Sequence, residues 1–134
     1  MKSKIEEYFK ETIVNIHTST FCYFFLQEAN QNSISEVFFD LSSANFIHKA
    51  LKNLYTLNKL FESATNFESF LISNNIDKEA IKAVLHLKYE KGMGRPMEAD
   101  YRSIEFPFKI KIEVEHNNEK TSFTYDTWIS GSTI

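Results

Sequence analysis

The chain has 134 residues, 43% of them hydrophobic and 15% aromatic, which is enough apolar surface for the core of one domain and too much for a disordered tail. With 15 Lys and Arg against 18 Asp and Glu the net charge is −3, so no general basic field exists for coating nucleic acid. The single cysteine, Cys22, excludes an intramolecular disulfide and a thiolate-rich zinc site.

The longest apolar run, Phe21 to Leu26, is six residues, far below the roughly eighteen of a membrane span. The start, Met1 to Glu7, turns acidic before any apolar run develops, unlike a secretory signal. A cytoplasmic protein without membrane contact is therefore expected. Abundant Ile, Asn, Lys and Phe, with arginine confined to Arg95 and Arg102, point to an AT-rich bacterial, phage or mobile-element genome.

From Lys4 to about Gln27 apolar residues at Ile5, Phe9, Ile13, Ile16 and Phe24 follow helical spacing and predict a first helix, with a strand over Thr12 to Phe25 as the competing reading. Ser33-Ile34-Ser35-Glu36 has capping-box spacing for a short helical turn through Phe39, while a short strand over Ile34 to Leu41 suits the same residues. Asp40 to Ser43 offers N-caps for a second helix whose face runs through Phe46, Ile47, Ala50, Leu51, Leu54, Leu57, Asn58 and Phe61, with an end near Thr65-Asn66 and a restart at Phe67. Asp77 then caps a third helix carrying Ala80, Ile81, Val84, Leu85 and Lys88, which stops at Gly92. The helical core expected from these faces is Phe46, Ile47, Leu51, Leu54, Phe61, Val84 and Leu85.

Gly92-Met93-Gly94-Arg95-Pro96 marks the change of period. Beyond it Ile104, Phe106, Phe108, Ile110, Ile112 and Val114 alternate with charged residues, and Phe123, Tyr125, Thr127 and Ile129 form a second alternation after Asn117 to Lys120. This predicts a β-hairpin with Val114 opposite Phe123, Lys111 opposite Asp126 and Trp128 opposite Lys109. The fold class expected is one α+β domain over 1–134: a helical region over 1–92 with about three helices, a loop over 92–102, and an antiparallel hairpin over 103–130, with a third short strand as the alternative for Ile34 to Leu41.

Four histidines, His17, His48, His86 and His116, are scattered and match no metal motif, so no metal, cofactor or catalytic residue is assigned. His48 and His86 are expected on helices beside basic residues. HEPN-type ribonucleases carry a histidine five or six residues after an arginine, and neither Arg95 nor Arg102 has one there. Gly94-Arg95-Pro96 resembles the core of an AT-hook over three residues, but acidic Glu98 and Asp100 follow where such hooks are basic. His17 and Cys22 diverge on a helix, and Cys22 reads as a small buried apolar residue.

Two surfaces stand out. Aromatic density around Phe21, Tyr23, Phe24, Phe25, Phe38 and Phe39 exceeds one helical stripe, and the hairpin displays Trp128, Tyr125, Asp126 and Lys109, with the Phe123 to Ile129 strand as its better open edge because Pro107 lies on the other. These predict a non-enzymatic protein-binding module, such as a regulator, inhibitor or accessory subunit, binding another protein or a second copy of itself in a homodimer. The second reading is a nucleic-acid-associated factor contacting phosphates through Lys88, Lys91, Arg95 and Arg102. A third is an enzyme whose site assembles only in three dimensions.

Overall fold

The computed structural model describes residues 2–97 and 100–132. It is an α+β fold in which, among these residues, three helices lie against one face of a six-stranded antiparallel sheet. The region 1–92, expected to be helical, contains three of those strands.

The first predicted helix is two, α1 (Lys2–Ile16) and α2 (Ser19–Asn32). The break is made by Thr18, whose extended backbone and hydroxyl, accepting the Phe21 N–H at 3.2 Å, start a new helix rather than continue the old one. At its far end Ser33 takes a left-handed conformation and the Ile34 N–H returns to the Ala29 carbonyl at 2.9 Å, closing α2. The capping-box spacing after it forms no helix; Glu36–Asp40 is strand β1.

The second predicted helix begins ten residues too early. Asp40 caps only a turn, its carboxylate accepting the Ser42 N–H at 2.9 Å, and Asn45–Phe46 becomes a short strand β2 against β1. Helix α3 (Leu54–Ser73) starts where Asn53 accepts the N–H groups of Tyr55 and Thr56. The approach to it is fixed from α2: the buried Glu28 carboxylate accepts the Lys52 and Asn53 N–H groups at 2.6 and 3.0 Å. Thr65 and Asn66 do not interrupt α3, because both face solvent. Its buried stripe is Thr56, Leu60, Ser63, Ala64, Phe67 and Leu71, so the expected core residues Leu54 and Phe61 are exposed. Ile47 is exposed too, and Phe46 and Val84 are only partly buried; Leu51 and Leu85 are core.

The largest departure is the third predicted helix. Asp77 caps one 3₁₀ turn at Lys78–Ala80, and Ile81–Tyr89 is strand β3. Ile81, Ala83, Leu85, Leu87 and Tyr89 are all buried, and the intervening residues face outward. This strand sits centrally, pairing β1 along one edge (Phe39 with Leu85) and strand β5 (Asp100–His116) along the other (Leu85 with Ile112). His86, expected on a helix, therefore lies on the outer face of the sheet, stacked on Phe38 at 4.1 Å with Glu36 3.3 Å from its Nε2.

Gly92 ends no helix. A 3₁₀ turn at Lys91–Met93 leads into β4 (Arg95–Met97), which pairs the opening residues of β5, so the expected loop 92–102 is largely strand. Strand β6 (Glu119–Ser132) pairs the other edge of β5 along its length. The hairpin turn is Asn117-Asn118, both left-handed (φ 52° and 67°), a two-residue turn matched to strand twist. The expected register is thereby displaced by two residues: Val114 faces Thr121, Lys109 faces Asp126, and Trp128 faces Pro107. A shift of two keeps every side chain on its expected face. Phe9 of α1 stacks on Phe123 and Phe25 of α2 meets Phe108, so the helices close the inner face.

Candidate functional site

Strand β6 is a margin of the sheet. Among the described residues it pairs with β5 alone, whereas β5 is flanked on its other edge by β3 and β4. In a two-residue hairpin the residues flanking the turn form a closely hydrogen-bonded pair, here His116 and Glu119, and the pattern then alternates. Odd-numbered residues of β6 therefore bond β5, and Lys120, Ser122, Thr124, Asp126 and Trp128 direct their N–H and C=O groups to the open edge. Their side chains lie on the outer face, opposite the one on which the described helices pack.

Trp128 is 37% exposed on that face. The Arg95 guanidinium lies 3.6 Å from the centre of its ring, and Arg95 Nε donates to Glu105 at 2.6 Å. The indole is thus held flat between strands by a cation that is itself anchored. Beside it a shallow depression of about 270 Å³ is lined by Lys88, Glu90, Pro107, Lys109, Asp126 and Trp128. The fold so gathers Trp128, Asp126 and Lys109 with Lys88 and Arg95, two groups of residues that the sequence assigned to different surfaces.

Tyr125 is separated from them. It lies on the inner face, its ring 5.2 Å from His17 in the break between α1 and α2, where burial lowers the His17 pKa. A second groove, about 580 Å³, runs between α1 and β6, with Ile13 and Val14 on one side and residues 121–125 on the other. Val14 is 67% exposed there, and sequence reasoning missed it because it falls off the apolar stripe of α1.

Three basic residues of this surface are matched by acids. Lys88 lies 3.6 Å from Glu90, Lys109 3.7 Å from Asp126, and Arg95 is tied to Glu105. Lys91 is exposed in its 3₁₀ turn. Arg102 belongs to β5, and its side chain lies outside the described residues. Gly94 makes no ligand loop: an added Cβ would sit 2.6 Å from the Phe106 ring and 2.9 Å from Ile104, so its absence serves packing.

Of the dense aromatics, Phe21, Phe25 and Phe39 are core, Phe24 and Phe38 are half-buried and Tyr23 is exposed. Cys22 is buried, and burial pushes its thiol pKa up to about 11. Among the described residues no three His, Cys, Asp or Glu side chains converge on a metal position, and no helix is long and apolar enough to cross a membrane. Comparison with protein-family models, with curated proteins and with solved structures finds no match for this chain.

Proposed function

We propose that the chain is a non-enzymatic protein-binding module, a regulator, inhibitor or accessory subunit, that takes its partner along β6 and the Trp128 depression. The observation that carries this reading is the edge itself: a fourteen-residue strand paired on one side, with an anchored, partly exposed tryptophan beside it. Such edges normally carry protection by proline, bulges or repeated lysines. Strand β6 contains no proline, keeps an unbroken register with β5, and has Lys120 as its one lysine. Main-chain pairing supplies affinity in strand addition, and flanking pockets supply selectivity. A preset indole offers a large contact area at little entropic cost.

The nucleic-acid reading has weaker support, since at two of its four cations, Lys88 and Arg95, a phosphate would have to displace Glu90 or Glu105.

Affinity capture with the wild-type chain, Trp128→Ala and Thr124→Pro tests the proposal. The proline removes an outward N–H without touching the β5 ladder. Both variants should stay cooperatively folded, with Trp128→Ala losing no more than about 0.5–1 kcal/mol for its contact with Arg95, and both should lose the captured protein. Undiminished capture by both folded variants would refute the reading.

A further inference from the structure

The open edge of β6 is complementary to itself, and we infer that its occupant is a second copy of this chain, joined antiparallel so that two six-stranded sheets become one. This inference rests on reading β6 as an interaction edge and names what fills that edge.

The register follows from two independent features. Residues whose backbone groups point outward must oppose residues of the same kind, which leaves only registers that pair even-numbered residues with even-numbered residues. Of these, one alone sets Lys120 of one copy directly opposite Asp126 of the other, twice by symmetry, with Ser122 opposite Thr124. Registers that place Asp126 opposite Asp126, or Lys120 opposite Lys120, juxtapose like charges. Lys120 stands opposite Glu115 on β5 and acts on Glu113 only at longer range, forming no ion pair within 4.0 Å among the described residues, and Asp126 is largely exposed beyond its 3.7 Å approach to Lys109. In the assembled sheet Asp126 has a lysine on each side.

The second feature is the groove under the edge. The charge-matched register puts the twofold axis at Phe123, opposite its own copy. The groove between α1 and β6 is lined by Thr121 to Tyr125, a segment centred on the same residue. The axis therefore brings together two grooves, each rimmed by the Glu6–Lys10 ion pair, and covers Val14, which is 67% exposed on α1 in a single chain. Charge on the outer face and shape on the inner face select the same centre.

An isologous joint of this kind has its axis perpendicular to the sheet, so both outer faces look the same way. Trp128 falls opposite Asn118, at the end of the paired segment. Each copy thus keeps its Arg95–Trp128 depression displayed on one common surface, and the assembly becomes bivalent toward a third protein.

The test combines native particle mass with directed cross-linking. Wild-type protein should be a dimer at micromolar concentration. Lys120→Glu should weaken it by about tenfold, and Lys120→Glu with Asp126→Lys should recover part of the loss. A mixture of Ser122→Cys and Thr124→Cys chains, mildly oxidised, should give a disulfide-linked heterodimer in large excess over the product of either chain alone, the buried Cys22 not competing. A monomer at every concentration overturns the inference. So does a dimer that cross-links through Ser122→Cys alone or not at all in the mixture. If the wild type is monomeric yet Thr124→Pro and Trp128→Ala still abolish capture of another protein, the interaction-edge reading stands and the second copy is refuted.

Discussion

Arg95 and Trp128 are brought together, guanidinium over indole at 3.6 Å, across strands thirty-three positions apart in the chain. Each has a neighbour that restrains it. Glu105 holds the arginine from below, and Pro107 stands opposite the tryptophan on β5. The surface is therefore set before a partner arrives, which lowers the ordering cost of binding.

Trp128 is the sole tryptophan, so intrinsic fluorescence reports on this contact alone. In Arg95→Ala the emission should shift to the red and acrylamide quenching should rise, with a stability loss of only about 0.5–1 kcal/mol. Unchanged quenching would mean that the guanidinium does not cover the ring in solution.

Helix α3 predicts a contrast between two leucines six positions apart. Leu60 is wholly buried and Leu54 is 75% exposed. Leu60→Ala should cost about 2–5 kcal/mol, whereas Leu54→Ala should stay within about 0.5 kcal/mol of wild type. Chemical denaturation with a shared m-value distinguishes them, and equal losses would show that the helix presents a different face.

Two glycines separate in the same way. Gly92 has open space around it, while a Cβ on Gly94 meets the Phe106 ring and Ile104 at under 3.0 Å. Gly94→Ala should lower stability by about 1–3 kcal/mol and Gly92→Ala should leave it nearly unchanged. Thermal melts of the two variants check this directly.

Cys22 should resist alkylation in the folded protein at pH 8 and react readily in denaturant, because burial favours the neutral thiol. Its pKa is raised from 9.0 to about 11, so the folded state holds this proton more tightly than the unfolded chain. The resulting stability is full below pH 9 and is lost as pH rises through that interval. Cys22→Ser should lack this alkaline component of the wild-type profile, measured by denaturation between pH 8 and pH 11.

Alternation along Ile104 to Val114 and Phe123 to Ile129 was enough to identify the hairpin and assign each side chain a face, because the strand repeat of two is a local property. The outward position of Trp128 was legible for the same reason, and the burial of Cys22 from the usual behaviour of a lone thiol as a small apolar residue. The register was not, since it depended on which asparagines adopted left-handed backbone, and Asn117-Asn118 displaced it by two.

Residues 81–89 show why the remainder required tertiary structure. Ile81, Val84, Leu85 and Lys88 satisfy helical spacing, while Ile81, Ala83, Leu85, Leu87 and Tyr89 satisfy strand spacing in the same nine residues. Backbone hydrogen bonds to β1 on one side and β5 on the other decide between them, and those partners lie far away in the chain. The same holds for the face of α3, where Leu60, Phe67 and Leu71 turn inward rather than Leu54 and Phe61, and for Arg95 over Trp128. Periodicity reports how one segment divides between water and core. Which segments meet, and so which residues share a surface, is set by pairings that no local pattern contains.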